Sequence, residues 1–210
     1  MSVEIVPAIL VKKREELVEK IVKVKPYVRI IQIDIMDGKF VQNKTIGTEE
    51  LKDLPNANYE FHWMVHDPEI WISKVPGNHL HLVHVETVKS WDWIEKAVKN
   101  AGGRIGIALN PDTPLEKIMP YIDRVEKVLV MTVYPGFSSQ KYIPQMEEKI
   151  SELRKNYPSL DIEVDGGINK DTIQRAANAG ANHLASASAI FSSETVGDAI
   201  RQLTAAAEGR

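Results

Sequence analysis

The chain of 210 residues contains no cysteine. That absence removes disulfides, thiol nucleophiles and Cys-ligated zinc, and a reducing, cytoplasmic setting is expected. Charge of one sign is also lacking: 26 basic side chains stand against 29 acidic ones, a formal net charge of −3. A general nucleic-acid binder would carry a basic excess, so no nucleic-acid partner is expected. No apolar run approaches the roughly 18 residues of a membrane span. The opening Met-Ser-Val-Glu-Ile lacks the basic-then-apolar pattern of a secretory leader. No membrane partner is expected either. No G-x-G-x-x-G follows the first strand candidate, which argues against a dinucleotide fold and a nucleotide cofactor. There is no Pro- or Ser-rich linker and no break in composition, so residues 1–210 are expected to form one domain.

What the chain does have is alternation. Short apolar runs are expected as strands at 3–9, 29–35, 58–64, 81–85, 104–109, 128–133, 161–165 and 183–187. Amphipathic stretches expected as helices follow them at 12–24, 48–54, 68–73, 90–100, 114–121, 144–156, 170–179 and 194–206. Strands alternating with helices imply βαβ units and a parallel sheet. The expected class is α/β, a single-domain (β/α)8 TIM barrel, at the small end of that fold's range. A doubly wound open sheet is the alternative. The closing Ala-Ala-Ala-Glu-Gly-Arg is expected to fray.

In such a barrel the chemistry sits at the C-terminal ends of the strands. The second strand reads Ile31-Gln32-Ile33-Asp34-Ile35-Met36, and period two puts Gln32, Asp34 and Met36 on one side. A polar stripe in an apolar strand costs free energy unless a ligand, an ion or a hydrogen-bond network uses it. The third strand places His62 with Met64; alone, a strand histidine is more often a packed core residue. The seventh ends in Asp165-Gly166-Gly167, which alone is an ordinary turn. Three such positions at three strand ends say more than any one. Backbone cradles for an anion could form at Gly136, Ser138 and Ser139, at Gly166-Gly167, and in the turn through Ser188. His84 is expected at the same mouth; His66, His79, His81 and His183 show no partner spacing.

Several ordered runs carry a family resemblance. They are Asp34-Ile-Met-Asp37-Gly38 with Phe40-Val41, His62-Trp-Met64, His84-Val-Glu86, Leu109-Asn110-Pro111-Asp-Thr113-Pro114, Pro135-Gly136-Phe137 with Gln140, and Glu163-Val-Asp165-Gly166-Gly167. The chain resembles the ribulose-phosphate 3-epimerase family over roughly residues 5 to 192, which implies a (β/α)8 TIM barrel of the ribulose-phosphate-binding type. The resemblance implies a ketose-phosphate 3-epimerase, with D-ribulose 5-phosphate and D-xylulose 5-phosphate as the expected pair. By that resemblance Asp34 and Asp165 are the two acid–base groups. Met36, Met64 and Met131 line the reacting centre with His62. Gly136, Gly166, Gly167, Ser188 and the backbone of Ser138 and Ser139 hold the phosphate. The family's divalent metal, commonly zinc, implies ligands Asp34, His62 and Asp165. It also implies a homo-oligomer and a small-molecule sugar phosphate as partner.

Departures cluster at this site. Gln32 stands where the family has its first metal-ligating histidine, an incomplete set in which a glutamine oxygen is a poorer zinc ligand than imidazole. Zn, Mn, Fe or Mg, a harder ion such as Mn or Mg above all, or a metal-free site, stay open. Ala8 replaces a serine of the first strand, and Ser138-Ser139 replace a glycine pair. Ala187 stands for a glycine of the last phosphate loop, while Lys39 and Gln42 differ from a common His and Pro. A non-catalytic or altered-specificity sugar-phosphate-binding barrel is therefore the alternative. A phosphosugar aldolase or decarboxylase is disfavoured, because no lysine stands in the Asp34–Asp37 strand where those relatives have one.

Overall fold

The computed structural model describes residues 2–137 and 139–209. Eight parallel strands close on themselves in chain order. They are β1 (Glu4–Ile9), β2 (Ile31–Met36), β3 (Tyr59–Met64), β4 (Leu80–His84), β5 (Arg104–Leu109), β6 (Lys127–Met131), β7 (Asp161–Asp165) and β8 (His183–Ser186). Around them lie α1 (Arg14–Val24), α2 (Pro68–Ile72), α3 (Trp91–Ala101), α4 (Met146–Asn156), α5 (Ile173–Ala179), α6 (Ser188–Phe191) and α7 (Val196–Ala207). No helix among the described residues is long and apolar enough to cross a membrane.

Alternation along each strand builds two cores. Outward residues such as Ile31, Ile33 and Ile35 are fully buried against the helices, in one continuous layer with Leu17, Ile21, Ile94, Ile150 and Leu203. Burying each such side chain contributes about 1.5–3 kcal/mol. Inward residues fill the barrel: Leu80, Leu82, Ala108, Leu129 and Met131 form an apolar side. The opposite side is polar, because Gln32, Asp34, Glu60 and His62 point inward from register-paired positions of β2 and β3.

Two expected helices are absent. The stretch at 48–54 forms only a 3-10 turn, Glu49–Leu51, and 114–121 forms two, Leu115–Lys117 and Met119–Arg124. Proline explains both: Pro55 disfavours helical backbone at the residue before it, and Pro120 has no N–H for a helical bond. The chain end also differs from expectation. Helix α7 runs to Ala207, which is buried with Ala199, Ile200 and Leu203, so a packed stripe holds the Ala-Ala-Ala segment that was expected to fray.

One inward cluster escaped the sequence reading. The Lys127 ammonium donates to Glu60 Oε2 at 2.6 Å and to Glu163 Oε2 at 2.5 Å, with all three side chains buried. Burial pushes the Glu163 carboxyl well above its ordinary range; the neighbouring Glu60 charge adds to this and Lys127 opposes it. Period two applied to β3, β6 and β7 places all three inside. That they meet is a consequence of closure.

Candidate active site

Asp34 from β2 and Asp165 from β7 open into one cavity at the C-terminal mouth of the barrel. Its walls include Ala8, Met36, Met64 and Met131, then Gly136, Phe137 and Ser139 from the loop after β6. Gly166, Gly167 and Ser188 complete the far end. Of the expected residues, His62 and Gln32 are not on the wall. Both are fully buried and reach the cavity through the two carboxylates. Ser138 lies outside the described residues. The apolar Ala8 methyl lines the wall beside Gln32, its register partner on β2.

The carboxylates share buried neighbours. Gln32 Nε2 donates to Asp34 Oδ1 at 2.8 Å and to Asp165 Oδ2 at 2.7 Å, spanning strands that are not adjacent. His62 Nδ1 stands 3.2 Å from Asp34 Oδ1 and 3.4 Å from Asp165 Oδ2. Burial pushes the Asp34 carboxyl up, and the Asp165 charge pushes the same way. Burial pulls His62 down, but hydrogen bonds and charge from Asp165 and Asp34 outweigh it and raise the ring to about 10. Both directions mean the same thing: the cluster wants positive charge at its centre.

The donor set fits a divalent cation. Ligand atoms of Asp34, His62 and Asp165 all lie within 4.8 Å of one another. Donors about 2.0–2.1 Å from one tetrahedral ion stand about 3.3 Å apart, against the 3.2 and 3.4 Å seen here. Gln32 fits as a fourth donor only if its amide turns over. Its Oε1 is buried with no hydrogen-bond partner among the described residues, which costs about 1–3 kcal/mol. Turned, Oε1 would face two carboxylates, an arrangement that only a cation between them makes favourable.

The far end has the shape of an anion cradle. Gly166 and Gly167 take φ of +113° and +68°, and a Cβ on Gly167 would sit 2.5 Å from the Tyr142 backbone nitrogen. Helix α6 starts at Ser188, and a first turn leaves N–H groups without intrahelical partners. In TIM barrels a short extra helix at this place commonly meets phosphate. Ser139 adopts φ of +62°, where an L side chain is strained and a glycine would not be. Gln140 Nε2 donates to the carbonyls of Tyr134 at 2.6 Å and Phe137 at 2.8 Å, which fixes the shape of this loop.

His84, expected at the mouth, is instead fully buried behind His62, with 2.8 Å between their Nε2 atoms. His81 is a core residue whose Nδ1 accepts from Trp63 Nε1 at 3.0 Å.

The model of the ribulose-phosphate 3 epimerase family matches residues 4–191. The chain belongs to that family. A relative from Oryza sativa subsp. japonica, described as the cytoplasmic isoform of ribulose-phosphate 3-epimerase, is 42% identical over 188 residues, 85% of this chain and 82% of the relative. The ribulose-phosphate 3-epimerase of Methanocaldococcus jannaschii is 39% identical over 86% of this chain and 80% of its own. Among solved structures, 3-hexulose-6-phosphate synthase from Salmonella typhimurium superposes with a TM-score of 0.71 at 16% identity, covering 98% of this chain and 99% of that one. At that identity it shows a shared barrel and nothing more. Family and relatives make the chain an epimerase, an isomerase rather than an inert binding barrel.

Proposed function

We propose that the chain interconverts D-ribulose 5-phosphate and D-xylulose 5-phosphate by inverting C3, with Asp34 and Asp165 as the two proton-transfer groups. One observation carries this reading: two carboxylates from strands on different sides of the barrel enter one cavity. One accepts the C3 proton, the other delivers a proton to the opposite face, and the carbon inverts. In the metal-free site Gln32 Nε2 and His62 Nδ1 hold the carboxylates in place from below. Met36, Met64 and Met131 line the reacting centre with polarisable, apolar surface that keeps water out. Gly136, Ser139, Gly166, Gly167 and Ser188 anchor the phosphate, placing C3 between the acids.

A divalent cation held by Asp34, His62 and Asp165, with Gln32 as a fourth donor, would supply positive charge against the negative charge that grows on the substrate oxygens. Zn, Mn, Fe and Mg are the candidates. Cytoplasmic residence and a homo-oligomeric state belong to the same proposal, the second checked by light scattering of the purified protein.

The test is proton NMR of D-ribulose 5-phosphate in D2O, after chelation and again with Mn or Zn restored. Deuterium entering C3 as xylulose 5-phosphate appears is the expected result, fastest with metal present. No exchange at C3 under any of these conditions overturns the reading. The phosphate cradle has its own check. In Gly167→Ala the clash with Tyr142 must displace the cradle. Losing one N–H bond to a charged group costs about 1.5–3 kcal/mol, so KM should rise about tenfold or more. An unchanged KM would move the phosphate elsewhere.

A further inference from the structure

A hydrogen-bond relay runs behind the carboxylates and uses residues that the proton-transfer scheme leaves idle. Glu86, just past the end of β4, accepts on Oε1 from the Asn110 backbone N–H at 2.7 Å and also from the Thr113 hydroxyl. Its Oε2 stands 3.1 Å from His84 Nδ1. His84 Nε2 stands 2.8 Å from His62 Nε2, and the two rings stack at 5.0 Å. His62 Nδ1 then faces Asp34 and Asp165. Both rings are fully buried.

Donor and acceptor roles along this line are not free. A carboxylate only accepts, so His84 Nδ1 carries a hydrogen toward Glu86. A neutral His84 then has a bare Nε2 that can only accept. The 2.8 Å contact therefore requires His62 Nε2 to donate. Were a cation to take the place of the proton that the raised ring carries on Nδ1, His62 would keep its hydrogen on Nε2 and aim the Nδ1 lone pair between the two aspartates. The 3.2 and 3.4 Å separations there are longer than the roughly 2.7–2.9 Å typical of charge-assisted bonds. They match instead the spacing of neighbouring ligands around one ion.

We propose that Glu86 is a positioning residue which, acting through His84, locks His62 in the tautomer that leaves Nδ1 free to bind a divalent metal between Asp34 and Asp165. The inference rests on the epimerase reading only for the use made of the metal. Its readout involves no substrate, so it stands or falls separately.

Glu86→Gln tests it, because the relay should reverse. The new amide keeps its oxygen for Asn110 N–H and Thr113, and turns its NH2 toward His84 Nδ1. His84 must then carry its hydrogen on Nε2, and His62 must carry its own on Nδ1, which blocks the metal. Cobalt(II) titration followed by visible absorption is expected to show affinity reduced about 10–100-fold, the usual cost of losing a group that orients a metal-ligating histidine. Melting of the metal-free protein should change little, since the loop contacts of Glu86 persist. Nitrogen-15 spectra of the histidine rings give an independent readout on wild type. Zinc-loaded protein should show His84 protonated on Nδ1 and His62 on Nε2. Wild-type rings with the opposite assignment, cobalt affinity in Glu86→Gln within about threefold of wild type, or failure of the wild type to bind cobalt would each overturn the proposal.

Discussion

Asp34→Asn and Asp165→Asn are each expected to lower epimerisation by about 10²–10⁴-fold, the range general acid–base catalysis contributes. The isotope pattern should differ between them. With one carboxylate gone, the other can still take a proton from the face it serves. In D2O one variant should exchange C3 of ribulose 5-phosphate only, and its counterpart C3 of xylulose 5-phosphate only. A single-base mechanism would instead silence both exchanges in one variant and neither in its partner. Stability separates chemistry from unfolding. Asp34 is pushed up by burial, so a neutral amide of the same size removes an unfavourable charge from the barrel. The melting temperature should hold or rise, as expected when an active-site residue is strained for function. Either variant retaining epimerisation within about threefold of wild type would sink the two-carboxylate assignment.

The interior face of this barrel was legible from the chain because period two is strict in a strand. Ile31, Ile33 and Ile35 had to face the helices, and that forced Gln32, Asp34 and Met36 inward. The same rule placed His62 with Met64, and the strand end placed Asp165. What a strand pattern cannot encode is which inward residues meet across the barrel. Lys127 lies 67 residues from Glu60 and 36 from Glu163; Glu163 is on the neighbouring strand β7, but Glu60 of β3 joins them only across the closed barrel. His84 departs from expectation for a related reason: it does end β4, but Phe40 and His62 cover it and keep it from the mouth. Gln32 was recognised as a departure from a ligand histidine. Its bridge to both aspartates was invisible, because an amide shows its direction only among its partners.

That hidden cluster gives the largest expected effect on stability. Glu60 and Glu163 sit two residues before His62 and Asp165 on their strands, so the ion cluster lies one inward layer below the site. Lys127 is the cation both carboxyls share. Burial pulls its ammonium down, but the charges of Glu163 and Glu60 outweigh that and hold it above its ordinary value. Lys127→Met keeps most of the volume and removes the charge, leaving two carboxyls buried without a counter-ion. Breaking such a cluster from one side costs about 3–5 kcal/mol. For a chain of this size each kcal/mol shifts the melting temperature by about 2–4 °C, so a fall of about 6–20 °C is expected. The sign with pH follows from the raised carboxyl: Glu163 holds its proton in the folded state at pH values where the unfolded chain has released it. Stability is then lost as pH rises beyond the unfolded carboxylate range, and the variant should be weaker at about pH 8 than at about pH 5. Replacing all three residues with apolar ones, Glu60→Leu and Glu163→Leu added to Lys127→Met, should recover much of the loss, because no charge then remains buried. Urea unfolding at the two pH values measures all of this. A loss below about 1 kcal/mol in Lys127→Met would mean that water or a shared proton, rather than the lysine, neutralises the floor of the barrel.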